Sequence, residues 1–152
     1  MPHAVITLII AVLSFCSIAA APAFAVGTED ESATAAPSPY EEAKATVDSG
    51  NYTAALPMLA GLTQNDPQNA NAWNLLGFTN RKLGNMDDAA QAYAAALRIN
   101  PDHRGALEYQ GELYIQIGQP EKARANAARL NSLCGTCEEY EDLEAALKAA
   151  GV

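Results

Sequence analysis

Two cysteines near the C-terminus have the spacing that most directly suggests chemistry. Cys134 and Cys137 form a C-x-x-C pair. Such a pair can close a short disulfide, exchange disulfides with another protein, or supply two thiolates to a metal ion. The chain begins with an export-like segment, and thiols in exported proteins are usually oxidised. We therefore expect a disulfide between Cys134 and Cys137.

The surrounding residues make the other two uses of the pair less favoured. A thiolate at Cys137 would gain from a following helix N-terminus, but four acidic residues crowd that end: Glu138, Glu139, Glu141 and Asp142. A structural metal site usually needs four ligands, and the nearest imidazole, His103, is far away in the sequence. No metal or cofactor is therefore expected, while thiol-disulfide exchange and metal handling stay open as alternatives.

No residue pattern elsewhere in the chain predicts catalysis. There is no Gly-rich phosphate loop and no Ser-His-Asp arrangement, since His103 is the one histidine beyond the N-terminal segment. The formal net charge is -9. Such an acidic chain repels phosphate backbones and anionic lipid surfaces, so nucleic acid is not expected as a partner. We expect a protein that binds other molecules rather than an enzyme.

A repeated unit in the sequence predicts the helices that carry the residues discussed above. Residues 70–103 are its clearest copy. This copy places small and large apolar residues at fixed positions: Trp73, Leu76, Gly77, Gly84, Ala89, Tyr93, Ala96 and Pro101. Shifting the frame by one unit finds related residues on both sides: Ala43, Gly50, Gly111 and Gly118. This pattern resembles the tetratricopeptide repeat (TPR). The resemblance implies an all-α fold, a right-handed superhelix of three helix-turn-helix repeats at about 36–69, 70–103 and 104–137.

Small residues have a steric role in the predicted hairpins. Helices that cross at about 8 to 10 Å need a partner without bulk. We expect such close contacts at one position of each first helix, answered by alanines of the second helix: Ala43, Gly77 and Gly111, with Ala55, Ala89 and Ala123. Each first helix should end at a glycine with a positive φ: Gly50, Gly84 and Gly118.

Capping patterns mark both ends of the array. The start has a capping box with proline in the first helical position: Ser38, Pro39 and Glu41. Thr136 and Glu139 repeat the capping-box spacing before a final amphipathic stretch. We therefore predict a TPR domain over 38–150, with seven helices in all, the last of them a cap helix over 137–150.

Residues 1–25 have the layout of an export signal. They contain no Asp, Glu, Lys or Arg, and they end in Ala23-Phe24-Ala25, small residues that suit a cleavage site before Val26. We expect a signal peptide over 1–25, a flexible acidic leader over 26–37, and a periplasmic protein. The alternative is an uncleaved anchor that holds the protein facing the periplasm, and membrane contact is expected only in that case.

The residues around the cysteines carry a second resemblance. The run Cys134-Gly-Thr-Cys137-Glu-Glu-Tyr140 resembles the tail of a group of small exported bacterial TPR proteins. This resemblance agrees with a periplasmic setting and implies no biochemical activity.

In the TPR family, partners usually lie along the concave face, which the first helix of each repeat forms. The family's concave positions fall on these residues of the present chain: Tyr40, Lys44, Asn71, Asn74, Phe78, Arg81, Lys82, Glu108 and Glu112. Basic residues would lie in the first two repeats and acidic ones in the third, so the concave face should carry opposite potentials at its two ends. The clamp that some members use for a peptide carboxylate is not expected, because Gly105 and Tyr109 stand at its basic positions.

The resemblance therefore implies a protein–protein interaction module that holds a peptide or protein segment and catalyses nothing. The identity of that partner does not follow from the sequence. A structural subunit of an envelope complex is a further alternative to the cysteine-based functions.

Overall fold

The computed structural model describes residues 36–152, and these residues form seven α-helices. The helices are α1 (Pro39–Asp48), α2 (Tyr52–Asn65), α3 (Ala70–Lys82), α4 (Met86–Ile99), α5 (Arg104–Gln116), α6 (Pro120–Cys134) and α7 (Glu138–Ala149). The predicted all-α fold is confirmed. The predicted signal peptide, and all but the last two residues of the predicted leader, lie outside the described residues.

Side chains and glycines set the helix ends as the sequence predicts at most positions. The Ser38 N–H donates to Glu41 Oε2 (2.7 Å), and the Glu41 N–H donates to Ser38 Oγ (3.3 Å), which confirms the capping box. The first helix of each repeat is followed by a glycine whose φ is positive, at 78°, 85° and 71° for Gly50, Gly84 and Gly118.

The second predicted capping box, between Thr136 and Glu139, does not form, because the N-cap of the last helix is one residue later than predicted. Helix α7 begins at Glu138, and its N-cap is Cys137, which makes no side-chain capping hydrogen bond. Gly135, with a φ of 69°, turns the chain immediately after α6. As a result Cys137, rather than Thr136, takes the extended backbone of an N-cap, with φ −79° and ψ 157°.

The pattern of helix contacts shows which way the array curves. Within each repeat the two helices pack together, and α1, α3, α5 and α7 also contact one another in sequence. Within residues 36–152, α2 does not contact α4, and α4 does not contact α6. The first helices therefore line the inner face and the second helices spread on the outside. Helix α7 contacts α5 and α6 as α5 contacts α3 and α4, so it occupies the place of a first helix in a fourth repeat.

The close helix contacts occur at the predicted glycines but with larger partners. A Cβ atom on Gly77 would lie 2.6 Å from ring atoms of Tyr93, which is fully buried in α4. A Cβ on Gly111 would lie 2.6 Å from both Cδ atoms of Leu143, which is fully buried in α7. The predicted alanine partners are buried as well, but the nearest side chains to the two glycines are Tyr93 and Leu143.

The chain's one tryptophan belongs to the second repeat. Trp73 lies in the first turn of α3, and its indole N–H donates to the carbonyl of Pro67 at 3.0 Å. The side chain is half-buried and lines a surface depression together with Leu56 and Ala60 of α2 and Ala92 of α4.

Candidate binding groove

The groove is the inner face formed by α1, α3, α5 and α7. Equivalent positions of these helices recur at the repeat spacing, so one residue from each helix forms a row along the groove: Tyr40, Asn74, Glu108 and Asp142. The row runs from an aromatic ring through an amide to two carboxylates. Asn74 stands between two cavities of different character, and its side chain contributes to both.

The first cavity, the aromatic pocket, lies between the first and second repeats. It has a volume of about 200 Å³ and is lined by Tyr40, Lys44, Val47, Asp48, Asn74, Leu75, Phe78 and Tyr109. The ring centroids of Phe78 and Tyr109 are 5.0 Å apart, and Tyr52 packs edge-on against Phe78 at 6.1 Å. The Lys82 ammonium lies 5.1 Å from the Phe78 centroid. Such a lining suits a large apolar side chain.

The second cavity, the acidic pocket, lies between α3, α5 and α7. It has a volume of about 230 Å³ and is lined by Asn74, Gly105, Glu108, Tyr109, Glu138, Glu139 and Asp142. Four of these seven residues are acidic, and no basic residue lines the cavity within the described chain. Tyr109 and Asn74 are shared with the aromatic pocket, so the two cavities adjoin.

Glu108 is the most unusual group in the groove. The residue is only 7% exposed, and within residues 36–152 its carboxyl makes no hydrogen bond or ion pair. Burial, together with the nearby carboxylates of Glu112 and Asp142, raises the pKa of Glu108 to about 8. At physiological pH Glu108 is therefore largely neutral.

Arg81, a concave-face position in the family, is almost fully buried in the structure. Its side chain is 4% exposed, and its guanidinium pairs with Glu112 across the contact between α3 and α5. The same guanidinium lies under the aromatic rings, 5.6 Å from the Phe78 centroid and 5.9 Å from that of Tyr109. Arg81 and Glu112 were predicted as partner contacts. The structure makes them an internal ion pair beneath the aromatic pocket, because a buried guanidinium requires a counter-charge.

The two ends of the groove therefore differ in how their charges are satisfied. At the basic end, Lys44 Nζ lies 2.6 Å from Asp48 Oδ2, so this charge is already paired. Lys82 is exposed and lies near Phe78. At the acidic end, the carboxylates of Glu138 and Asp142 have no paired cation among the described residues, and Glu108 is largely neutral. The unsatisfied charge of the groove is thus mostly negative.

Asn71 and His103 connect neighbouring repeats beside the groove. His103 is half-buried at the start of α5, where its Nδ1 accepts a hydrogen bond from the Ala106 N–H at 3.1 Å. The other ring nitrogen therefore carries the proton and donates to Asn71 Oδ1 at 2.9 Å. Burial lowers the pKa of His103, which agrees with this neutral form. The Asn71 amide oxygen and both ring nitrogens of His103 are therefore engaged in hydrogen bonds within the protein.

Comparison with known families identifies the repeat. The family described as "Tetratricopeptide repeat" matches residues 40–103 and 79–131, which together make up more than half of the chain. The chain belongs to the tetratricopeptide-repeat family.

Individual proteins resemble this TPR chain over different lengths. General transcription factor 3C polypeptide 3 of Homo sapiens is 37% identical over 82 residues, which are 53% of this chain but only 9% of that protein. The Yersinia enterocolitica chaperone SycD, solved with a peptide of the translocator YopD, has a TM-score of 0.65 at 19% identity and covers 74% of this chain and 89% of its own. The first TPR of Spaghetti (RPAP3), solved with an HSP90 peptide, has a TM-score of 0.66 at 17% identity and covers 75% and 91%. The structural likenesses show the fold.

Sequence reasoning missed the part of the groove that α7 contributes. The concave positions were transferred onto three repeats but not onto the cap helix, so Glu139 and Asp142 were not named as groove residues. Both stand one repeat length after positions of the third repeat, Gly105 and Glu108. Continuing the TPR frame into α7 would have found them. Tyr109 was named only for what it lacks, a positive charge, although it lines both pockets.

The cysteine pair lies away from the groove's lining, at the junction of α6 and α7. A disulfide links Cys134 to Cys137. Within residues 36–152 no group of three or more His, Cys, Asp or Glu side chains is arranged to hold a metal ion. The pair therefore joins the last repeat to the cap helix.

Proposed function

We propose that this TPR protein is a periplasmic interaction module that holds a peptide or protein segment in its groove without catalysis. One observation carries the proposal: an aromatic pocket and an acidic pocket adjoin on the concave face, with Asn74 and Tyr109 common to both. A cavity for an apolar side chain beside one for a polar side chain suits successive residues of an extended chain. The Asn74 amide lies where it can hydrogen-bond the backbone of such a chain.

Peptide binding by proteins of the same fold supports this proposal. SycD and the RPAP3 domain were each solved with a peptide, from YopD and HSP90 respectively. Likenesses of such low sequence identity transfer no ligand, so the chemistry of the segment has to be argued from the groove itself.

The described residues favour binding over catalysis. His103 is the only histidine after His3, and both of its ring nitrogens are engaged, one in capping α5 and one with Asn71. An imidazole held in this way has no free nitrogen to act as a general base. The buried carboxyl of Glu108 has no hydroxyl, thiol or imidazole among the described residues that line its pocket, apart from the phenol of Tyr109.

The periplasmic setting is supported by residues 1–25 and by the cysteines. The uncharged N-terminal segment with its small residues before Val26 is typical of a cleaved signal, and a disulfide at Cys134–Cys137 requires an oxidising compartment. No helix within residues 36–152 has the length and apolar character needed to cross a bilayer. N-terminal sequencing of the protein from a fractionated bacterium tests the setting, and we expect Val26 as the first residue in the periplasmic fraction.

The binding role is tested by capture and crosslinking with the full chain as bait in an envelope extract. Captured segments are then synthesised and their affinities measured directly. We expect Asn74→Ala to weaken binding by about tenfold or more, because it removes a central hydrogen-bonding amide. Gln91→Ala on α4, an exposed position that lines neither pocket, is the matched control and should bind as the wild type does.

Crosslinks that fall on the outer helices α2, α4 and α6, with unchanged binding by Asn74→Ala, would replace the groove proposal with the structural-subunit alternative.

A further inference from the structure

The acidic pocket has more hydrogen-bond acceptors than the protein satisfies. The Glu108 carboxyl has no partner within the described chain, although the residue is more than nine-tenths buried. The Asn74 Oδ1 atom, on a different helix, is inaccessible to solvent and also lacks a hydrogen-bond partner in the described chain. Within residues 36–152 Asp142 adds a further unpaired carboxylate at the pocket. Buried polar atoms are normally paired, so the unpaired Asn74 Oδ1 atom, beside the carboxyl groups of Glu108 and Asp142 that line the cavity, marks a place where donors arrive from outside.

We propose that the acidic pocket receives a lysine or arginine side chain of the bound segment, next to a large apolar residue held in the aromatic pocket. This inference rests on the proposed function and specifies its ligand. An ammonium or guanidinium group offers several N–H donors and no acceptor, which complements a pocket made almost entirely of acceptors. The stem of either side chain would pass the Tyr109 ring that lines both cavities.

A protein cation fits the pocket better than a metal ion does. No group of three or more His, Cys, Asp or Glu within residues 36–152 has an arrangement suited to a metal ion. The pocket volume of about 230 Å³ also exceeds what a bare ion needs and is large enough for a side-chain head group. An anionic ligand is disfavoured by the four carboxyl groups that line the cavity.

The charged groups of the chain itself do not supply the missing cation. Arg104 is half-exposed and does not line the cavity, although its Nε is 3.5 Å from Glu139 Oε1. Arg81 is held by Glu112. Residues 1–35 include no lysine or arginine, so the N-terminal segment cannot place either side chain in the pocket. These facts favour a segment of another protein.

The titration of Glu108 supports the same occupant. Burial and the surrounding acidic groups raise the pKa of Glu108, and these groups come from its own helix (Glu112) and from α7: Glu138, Glu139 and Asp142. A cation entering the pocket would lower that pKa and convert Glu108 to its charged form. Binding should then release a proton and strengthen as the pH rises toward about 8.

The first experiment selects ligands from a randomised nonapeptide phage library on the immobilised full-length chain. The wild type should enrich peptides that contain lysine or arginine beside an aromatic or long aliphatic residue. The variant with Glu108→Gln and Asp142→Asn should lose the basic preference. Glu144→Gln, which removes an exposed charge of α7 outside the pocket, should keep it. Enrichment of peptides without basic residues would overturn this inference and leave the proposed function standing, whereas failure of the wild type to enrich any peptide would count against both.

The second experiment changes only the peptide, so misfolding of a protein variant cannot affect its result. An enriched peptide is synthesised with its lysine, or with norleucine in place of that lysine, and both are titrated calorimetrically at pH 6, 7.5 and 9. We expect norleucine to weaken binding by about tenfold to a hundredfold, because a charge-assisted hydrogen bond is lost. The lysine peptide should bind more tightly at pH 7.5 than at pH 6.

Equal affinity of the two peptides would refute the inference. A light-scattering result in which the wild type is a dimer and the Glu108→Gln variant is a monomer would also refute it, since a second copy of the chain would then occupy the pocket.

Discussion

The second and third repeats place glycine at the same position of the first helix but fill the space beside it differently. In the second repeat, Gly77 faces Tyr93 from the repeat's own second helix. In the third, the residue equivalent to Tyr93 is Ala127, and the space at Gly111 is taken by Leu143 of α7. The second repeat thus fills the space beside its glycine with its own side chain, whereas the third depends on the cap helix.

This difference gives α7 two roles. It closes the core of the last repeat through Leu143 and Leu147, both buried. It also brings Glu138, Glu139 and Asp142 to the acidic pocket. The cap is therefore part of the groove as well as the end of the solenoid, and a change in its packing should alter ligand binding.

The largest effect is expected from Leu143→Ala. Removing a fully buried leucine leaves a cavity beside Gly111 and should lower the free energy of unfolding by about 2–5 kcal/mol. Hydrogen exchange should accelerate most in α5, α6 and α7, since stability in repeat arrays is carried by neighbours. Leu133→Ala, at an exposed position, is the control. A uniform loss of protection over all seven helices of the described chain would indicate that the third repeat does not depend on α7 in particular.

Filling the space at Gly77 tests the second repeat. Gly77→Ala should destabilise the protein by about 1–3 kcal/mol, because its new methyl group would collide with the buried ring of Tyr93. Gly61→Ala in α2 is the matched control, since its Cβ would meet nothing within 4 Å. That substitution should stabilise the helix by about 0.5–1 kcal/mol. Chemical denaturation measures the free energy of unfolding of both variants. Changes of the same sign would contradict the contact between Gly77 and Tyr93.

Reduction of the cysteine pair tests how the cap is attached. Opening a disulfide that spans so short a loop should cost roughly 2 kcal/mol in the chain-entropy treatment. We therefore expect a modest fall in Tm with the helical circular dichroism retained at room temperature, because Leu143 and Leu147 still pack α7 against the last repeat. Mass spectrometry of the protein purified without reductant should find Cys134 and Cys137 oxidised. Elemental analysis that finds stoichiometric zinc or copper after dialysis would instead support the metal alternative.

The effect of Glu108→Gln on stability should depend on pH and should be smallest at low pH. The folded protein holds a proton on Glu108 between the ordinary pKa near 4.5 and the raised pKa of about 8, whereas the unfolded chain releases it. The stability of the wild type should therefore fall as the pH rises through this window, and the variant should lack that component. Melting curves should nearly coincide at pH 5, and the variant should melt higher at pH 9. Parallel curves across the range would show that Glu108 is not protonated in the fold.

Much of the fold could be predicted because the TPR pattern is carried by local residue types. Glycines at the repeat spacing and the capping box at Ser38 are read directly from the sequence, and the structure confirms both. Local residue types could not predict which side chain packs against each glycine. Whether Gly111 faces its own repeat or the cap helix depends on Ala127 being too small to fill the space, which only the packed structure reveals.

The site was predictable in its location but not in its electrostatics. The concave positions named from the family include Asn74, Phe78 and Glu108, which do line the two pockets. Residue types define the charge at each position but not which charges are paired. Arg81 and Glu112 neutralise each other, whereas Glu108 has no partner in the described chain, and that distinction depends on side-chain geometry across three helices.

Trp73 gives this chain a built-in local reporter of unfolding. It is the only tryptophan, and its indole is fixed at the start of α3 by the bond to the Pro67 carbonyl. Fluorescence excited at the indole band therefore records the surroundings of the second repeat, while circular dichroism records all the helices. If the second repeat outlasts the third, the fluorescence transition will follow the dichroism transition at higher denaturant, and a stopped-flow instrument will resolve the same order in time.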